Sequence, residues 1–128
     1  MIHKTPIHLH LKASELERLS SALAVYLHYD QALLKEYQYW DFNHSILHSL
    51  IGDCRQLMSA LKKLSLIHNH EERKSTLDFI HCISKNINSY CRGLEYHSKT
   101  PLEYIKAYRN EVRKFTASFQ KWSNTSLG

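Results

Sequence analysis

Six large apolar residues near the end of the chain, Ile105, Tyr108, Val112, Phe115, Phe119 and Trp122, recur at alternating steps of three and four. A strand would scatter them over both of its faces, whereas an α-helix gathers them into one stripe. Lys106, Arg109, Arg113, Lys114 and Lys121 fill much of the remaining circumference. The segment is therefore predicted to be a helix, sealed against a core on one side and open to anions on the other. Its start is marked as well. Thr100 can cap the free amides of the first turn, Pro101 suits the first helical position, and Glu103 can reach back to complete a capping box.

The same spacing recurs upstream. Ser14 and Glu17 form a first capping box, and Leu16, Leu19, Leu23, Tyr26, Leu33 and Tyr37 predict a helix over 14–38. Tyr39-Trp40-Asp41-Phe42-Asn43 reads as a break, with Asp41 or Asn43 available to cap a second helix. That helix carries Ile46, Leu50, Cys54, Leu57, Leu61 and Leu64 on its inner face. After the turn Ile67-His68-Asn69-His70, a third helix is expected to start near Glu71, where two acidic residues favour a helix N-terminus. Its stripe is Leu77, Ile80, Ile87, Cys91 and Leu94, flanked by Ile83 and Tyr90, and Gly93 marks its closing region. Residues 1–12, with the alternation His8-Leu9-His10-Leu11, read as an N-terminal arm, and 123–128 as a frayed tail. Three Gly and two Pro are too few for a hairpin-rich fold. Long amphipathic helices on short connections run antiparallel to their neighbours. The expected fold is all-α, an antiparallel up-down-up-down four-helix bundle forming a single domain over 1–128. Eight tyrosines exceed what the inner stripes can hold, so several belong at the core edge or at a subunit interface.

Composition narrows the setting. At 43% hydrophobic, the chain can build a core without disulfides or metal. Cys54, Cys82 and Cys91 are an odd number without CxxC spacing, which suits free thiols in a reducing compartment. No apolar run approaches the ~20 residues of a membrane span, and no secretory signal is legible at the N-terminus. A cytoplasmic protein without a membrane partner is expected.

The chemistry-bearing residues are incomplete as sites. His44 and His48 lie one turn apart, but Ser45 stands where a zinc-protease helix has Glu. His68 with His70, and His8 with His10, equally lack further ligands, so no metal or other cofactor is expected. Arg92 followed five positions later by His97 resembles the Arg-x4–6-His signature of HEPN ribonucleases, although Gly93 stands where that family usually has a polar residue. No catalytic residue is assigned on this basis. Basic residues are the stronger feature, with 17 Lys plus Arg against 12 Asp plus Glu and a net charge of +5. Arg55, Lys62 and Lys63 sit on the second helix, Lys85 and Arg92 on the third, and Lys106, Arg109, Arg113 and Lys114 on the fourth. Seven-residue steps, as from Arg55 to Lys62 and Lys85 to Arg92, keep each pair along one side of its helix. Such cations either keep a bundle in solution or bind phosphate, and these nine are the expected nucleic-acid-binding residues.

From the second helix onward, over about residues 44–122, the chain resembles the accessory variability determinant proteins of diversity-generating retroelements. These are related to four-helix proteins encoded in ribosomal intervening sequences. The resemblance is carried by Leu50-Ile51-Gly52, by Lys99-Thr100-Pro101, and by Glu111-Val112 followed by Trp122. Typical members have Tyr-Pro or Phe-Pro before the second helix, where this chain has Tyr39-Trp40-Asp41-Phe42. The resemblance implies a non-enzymatic, basic homo-oligomer, a pentamer, that binds RNA or DNA and assists a reverse transcriptase. The alternatives are a HEPN-type ribonuclease or toxin-antitoxin component, and a pure protein-interaction adaptor.

Overall fold

Residues 5–34, 37–97 and 102–127 are described by the computed structural model, with side chains described over 5–25, 45–96 and 103–124. Four helices follow one another: α1 (Ile7–Leu34), α2 (Tyr37–Leu64), α3 (His70–His97) and α4 (Leu102–Leu127). Each packs on the next and α4 returns to α1, while the backbones of the diagonal pairs stay apart among the described residues. The result is the expected up-down-up-down four-helix bundle.

Inner stripes build the core as their spacing requires. Leu50, Cys54, Leu57, Leu61 and Leu64 of α2 are fully enclosed, as are Ile80, Ile87, Cys91 and Leu94 of α3. Ile105, Phe115 and Phe119 of α4 are equally closed off, and Trp122 packs half-buried against them. The stacked rings of Phe115 and Phe119 lie 6.0 Å apart between centroids. Gly93 allows α3 to approach α2 closely, because a Cβ there would sit 3.3 Å from Ile46 Cδ1.

Helix ends differ from the expected ones in three places. Residues 7–12 are not an arm. They form the first turns of α1, because Leu9, Ala13 and Leu16 fall on one buried face at steps of four and three. The Leu9 amide donates to the Pro6 carbonyl at 3.1 Å, and Ser65 donates to Thr5 Oγ1 at 3.1 Å, tying this end to the end of α2. The segment Tyr39–Asn43, expected to break the chain, lies inside α2. It contains neither Gly nor Pro, so nothing in it opposes helix. At the far end α4 runs to Leu127 and Ser123 is buried, its hydroxyl donating to the Gln120 carbonyl at 3.0 Å. The expected caps Thr100 and Pro101 lie outside the described residues.

The turn between α2 and α3 is held from both sides. Asn69 Oδ1 accepts from the amides of Glu71 and Glu72 at 2.9 and 3.2 Å, an N-cap for α3. Arg73, buried, donates to the Leu64 carbonyl at 3.1 Å and so satisfies an orphan acceptor at the C-terminus of α2. Its guanidinium also lies 5.7 Å from the Trp122 ring centroid.

Polar groups from all four helices meet inside the bundle. Cys54 Sγ lies 3.2 Å from the Tyr108 hydroxyl. Ser20, its hydroxyl donating to the Glu17 carbonyl at 2.7 Å, lies beside this pair, as does Cys91. Burial raises the Cys54 and Tyr108 groups above their ordinary pKa, and pushes the Cys91 thiol up to about 12. These thiols stay protonated and inert.

Candidate nucleic-acid interface

The nine basic residues separate into two sets once the helices are packed. Four are in ion pairs. Arg55 reaches Glu17 of α1 at 3.3 Å, Lys63 lies 4.0 Å from Glu72, and Lys114 pairs with Glu111 at 3.2 Å. Arg109 donates to Glu95 at 2.7 Å across the α3–α4 seam, with side chains only 21% and 16% exposed. The sequence pattern puts Arg109 on the open basic surface. In the structure it lies on the flank of the apolar stripe, and its charge is neutralised inside the bundle wall.

Lys62, Lys85, Arg92, Lys106 and Arg113 remain outside any ion pair among the described residues. Lys85 and Arg113 line one seam, and helical spacing sets Arg92 and Lys106 on the same sides of α3 and α4. Lys85 and Arg92 are seven residues apart on α3, and Lys106 and Arg113 are seven apart on α4. The two helices run antiparallel, so Arg92 and Lys106 share one end of the seam. Lys62 lies away from it on α2.

Between the helices runs a groove of about 270 Å³, lined by Ser84, Lys85, Asn88, Arg113, Thr116 and Gln120 with Val112 and Ala117. No carboxylate is among these residues. Ser84 donates to the Ile80 carbonyl at 2.8 Å and Thr116 to the Val112 carbonyl at 2.9 Å, so both hydroxyls keep only acceptor capacity. Asn88 Oδ1 is buried and accepts from no group among the described residues. The groove therefore offers two flexible cations and the amide of Gln120. Asn88, Thr116 and Gln120 escape a reading built on charge. The signal that could find them is position: Ser84/Asn88 and Thr116/Gln120 are i,i+4 polar pairs bordering the apolar stripes.

Other expected features are less informative. Arg92 is exposed, but the His97 side chain lies outside the described residues, as does that of His44. His68 and His70 are exposed, His8 is exposed, and His10 is half-buried. Among the described residues no three His, Cys, Asp or Glu come together as a metal-holding group, and no helix is long and apolar enough to cross a membrane. Of the residues that carry the family resemblance, Leu50 and Val112 are buried and Trp122 lies against the core, Glu111 pairs with Lys114, and Lys99-Thr100-Pro101 falls outside the described residues. No protein-family model matches the chain, and no curated protein or solved structure matches it either.

Proposed function

We propose that this chain is a non-enzymatic accessory subunit that binds nucleic acid along the α3–α4 seam. The observation that carries this is the groove that joins Lys85 to Arg113 without a carboxylate in its lining. In a chain with 12 acidic residues, a cationic groove free of acids is the arrangement that attracts phosphate. Arg92 and Lys106 extend the same charge toward one end, over a length that suits successive phosphates better than a single small anion. The resemblance to retroelement accessory proteins supplies the class of protein partner, a reverse transcriptase.

Binding to a structured RNA and to duplex DNA, measured from low to moderate salt, tests the proposal. Affinity should fall steeply with salt. The double variant Lys85→Ala/Arg113→Ala should weaken binding at every salt concentration and reduce the salt slope by about two, one for each phosphate that no longer meets a cation. Lys114→Ala, which removes a cation already neutralised by Glu111, should change little. Absence of binding at low salt, or an unaltered slope in the double variant, overturns the proposal. RNA cleavage abolished by His97→Ala would assign a ribonuclease instead.

A further inference from the structure

The outward face of α1 carries apolar residues where a solvated helix would carry charge. Ile7, Leu11 and Val25 are 77%, 65% and 70% exposed. They lie on one line with Glu15, Arg18 and Ala22, at steps of four, four, three, four and three. At about 100° per residue this line is diametrically opposite the buried face of Leu9, Ala13, Leu16 and Ser20. The helix is thus apolar on two opposite sides, and the bundle covers only one of them.

The pattern along this second line, two apolar residues, two charged and two apolar, reads the same from either direction with the two charges exchanged in sign. Its centre is the pair Glu15 and Arg18, opposite in sign and exposed, with Arg18 Nε donating to Glu15 Oε2 at 3.0 Å. Apolar residues flank the centre on both sides. If a second α1 is laid antiparallel so that Glu15 of one copy meets Arg18 of the other, then Leu11 faces Ala22, and Ile7 falls within one residue of facing Val25. Both charges then find an opposite charge twice over, and the apolar ends cover each other. No other registration along the line pairs the charges and buries the apolar ends together.

We infer that the outward face of α1 is an isologous interface, at which two copies of this chain pair antiparallel about a two-fold axis through the Glu15–Arg18 centre. The contact is self-complementary and closes at two copies. This distinguishes it from the five implied by family resemblance. It spans five helical turns, about 27 Å from Ile7 to Val25. A single helix pair buries less than the roughly 800 Å² per partner of a standard interface, so association is reversible and weak. The face is distinct from the proposed nucleic-acid seam, since it points away from the bundle on α1 while the seam lies between α3 and α4, and the backbones of α1 and α3 stay apart among the described residues.

Charge exchange between copies provides the test. In Glu15→Arg the centre becomes two cations, and in Arg18→Glu two anions, so each variant alone should associate at least about tenfold more weakly than the natural chain. An equimolar mixture of the two restores both intermolecular pairs, although neither variant retains the intrahelical one. Sedimentation equilibrium across a concentration series should find a monomer–dimer equilibrium for the natural chain, monomers for each variant, and a heterodimer for the mixture. Circular dichroism of each variant checks that the bundle persists, and Leu11→Glu provides a second break if one charge variant fails to fold. A natural chain that stays monomeric, one that forms a pentamer, or a mixture that associates no better than its components overturns the inference.

Discussion

The Arg109 guanidinium and the Glu95 carboxylate meet at 2.7 Å with most of each side chain out of water. Glu95 Oε1 is buried with no donor among the described residues, so the carboxylate depends on Arg109 for its compensation. Removing the arginine strands a half-buried charge, whereas removing an exposed member of a surface pair strands nothing. Arg109→Ala should therefore cost roughly 2 kcal/mol, and Lys114→Ala less than about 0.5 kcal/mol, in denaturant midpoints. Equal midpoints for the two variants would mean that the seam is wetter than its geometry indicates. The contrast also locates what is legible at this scale. Both residues are recognisable in the sequence as basic positions off the strict apolar stripe. Which of them is held by a buried carboxylate depends on how α3 registers against α4, and no spacing within one helix contains that information. Lys85 and Arg113 are legible as cations for the same reason, while their convergence on one groove is not.

Among the helices, α1 departs furthest from its expected form. Its pattern is blurred because the buried line includes the small residues Ala13 and Ser20, while the large Ile7, Leu11 and Val25 face outward. His8-Leu9-His10-Leu11 consequently resembles a strand, although leucines two positions apart in a helix simply point to opposite sides. Leu9 belongs to the core, with no exposed surface, and Leu9→Ala should destabilise the protein by about 2–5 kcal/mol in chemical denaturation. An arm residue would give nearly no change. At the start of α3, Asn69→Ala should cost only about 1 kcal/mol, the usual worth of a cap that two amides share. By contrast the apolar stripe of α4 is readable from Ile105 to Trp122. Its stripe residues are large and mostly aromatic, and charges fill much of the rest. The start of α2 is less readable, because its aromatic cluster mimics a break that only Gly or Pro would justify.

For the bundle as a whole, protonation of its buried thiols and phenol ties stability to alkaline pH. Cys91 is pushed up to about 12 by burial, and Cys54 and Tyr108 are raised by the same cause. A group with a raised folded-state pKa contributes its full stability below the unfolded value, about 9 for a thiol, and loses it as pH climbs toward the folded one. Denaturant midpoints should hold steady from pH 7 to about 8.5 and decline from about 9 to 12. Cys91→Ala should decline less steeply over that range, and an identical slope would remove the thiol from the explanation. Fold class and helix number are legible because each stripe points inward independently. The order in which polar groups meet is not, since Ser20, Cys54, Cys91 and Tyr108 come from four separate helices. That meeting has a consequence for alignment. Leucine and isoleucine stripes look alike after a shift of one helical turn, so the apolar core alone would tolerate neighbours that have slid by about 5.4 Å. A slide of α4 would carry the Tyr108 hydroxyl away from Cys54 and Ser20 into hydrocarbon, at a cost of about 1–3 kcal/mol for the unsatisfied hydroxyl. The polar cluster thus acts as a detent, the one level at which four otherwise slippery rods click into a single axial position.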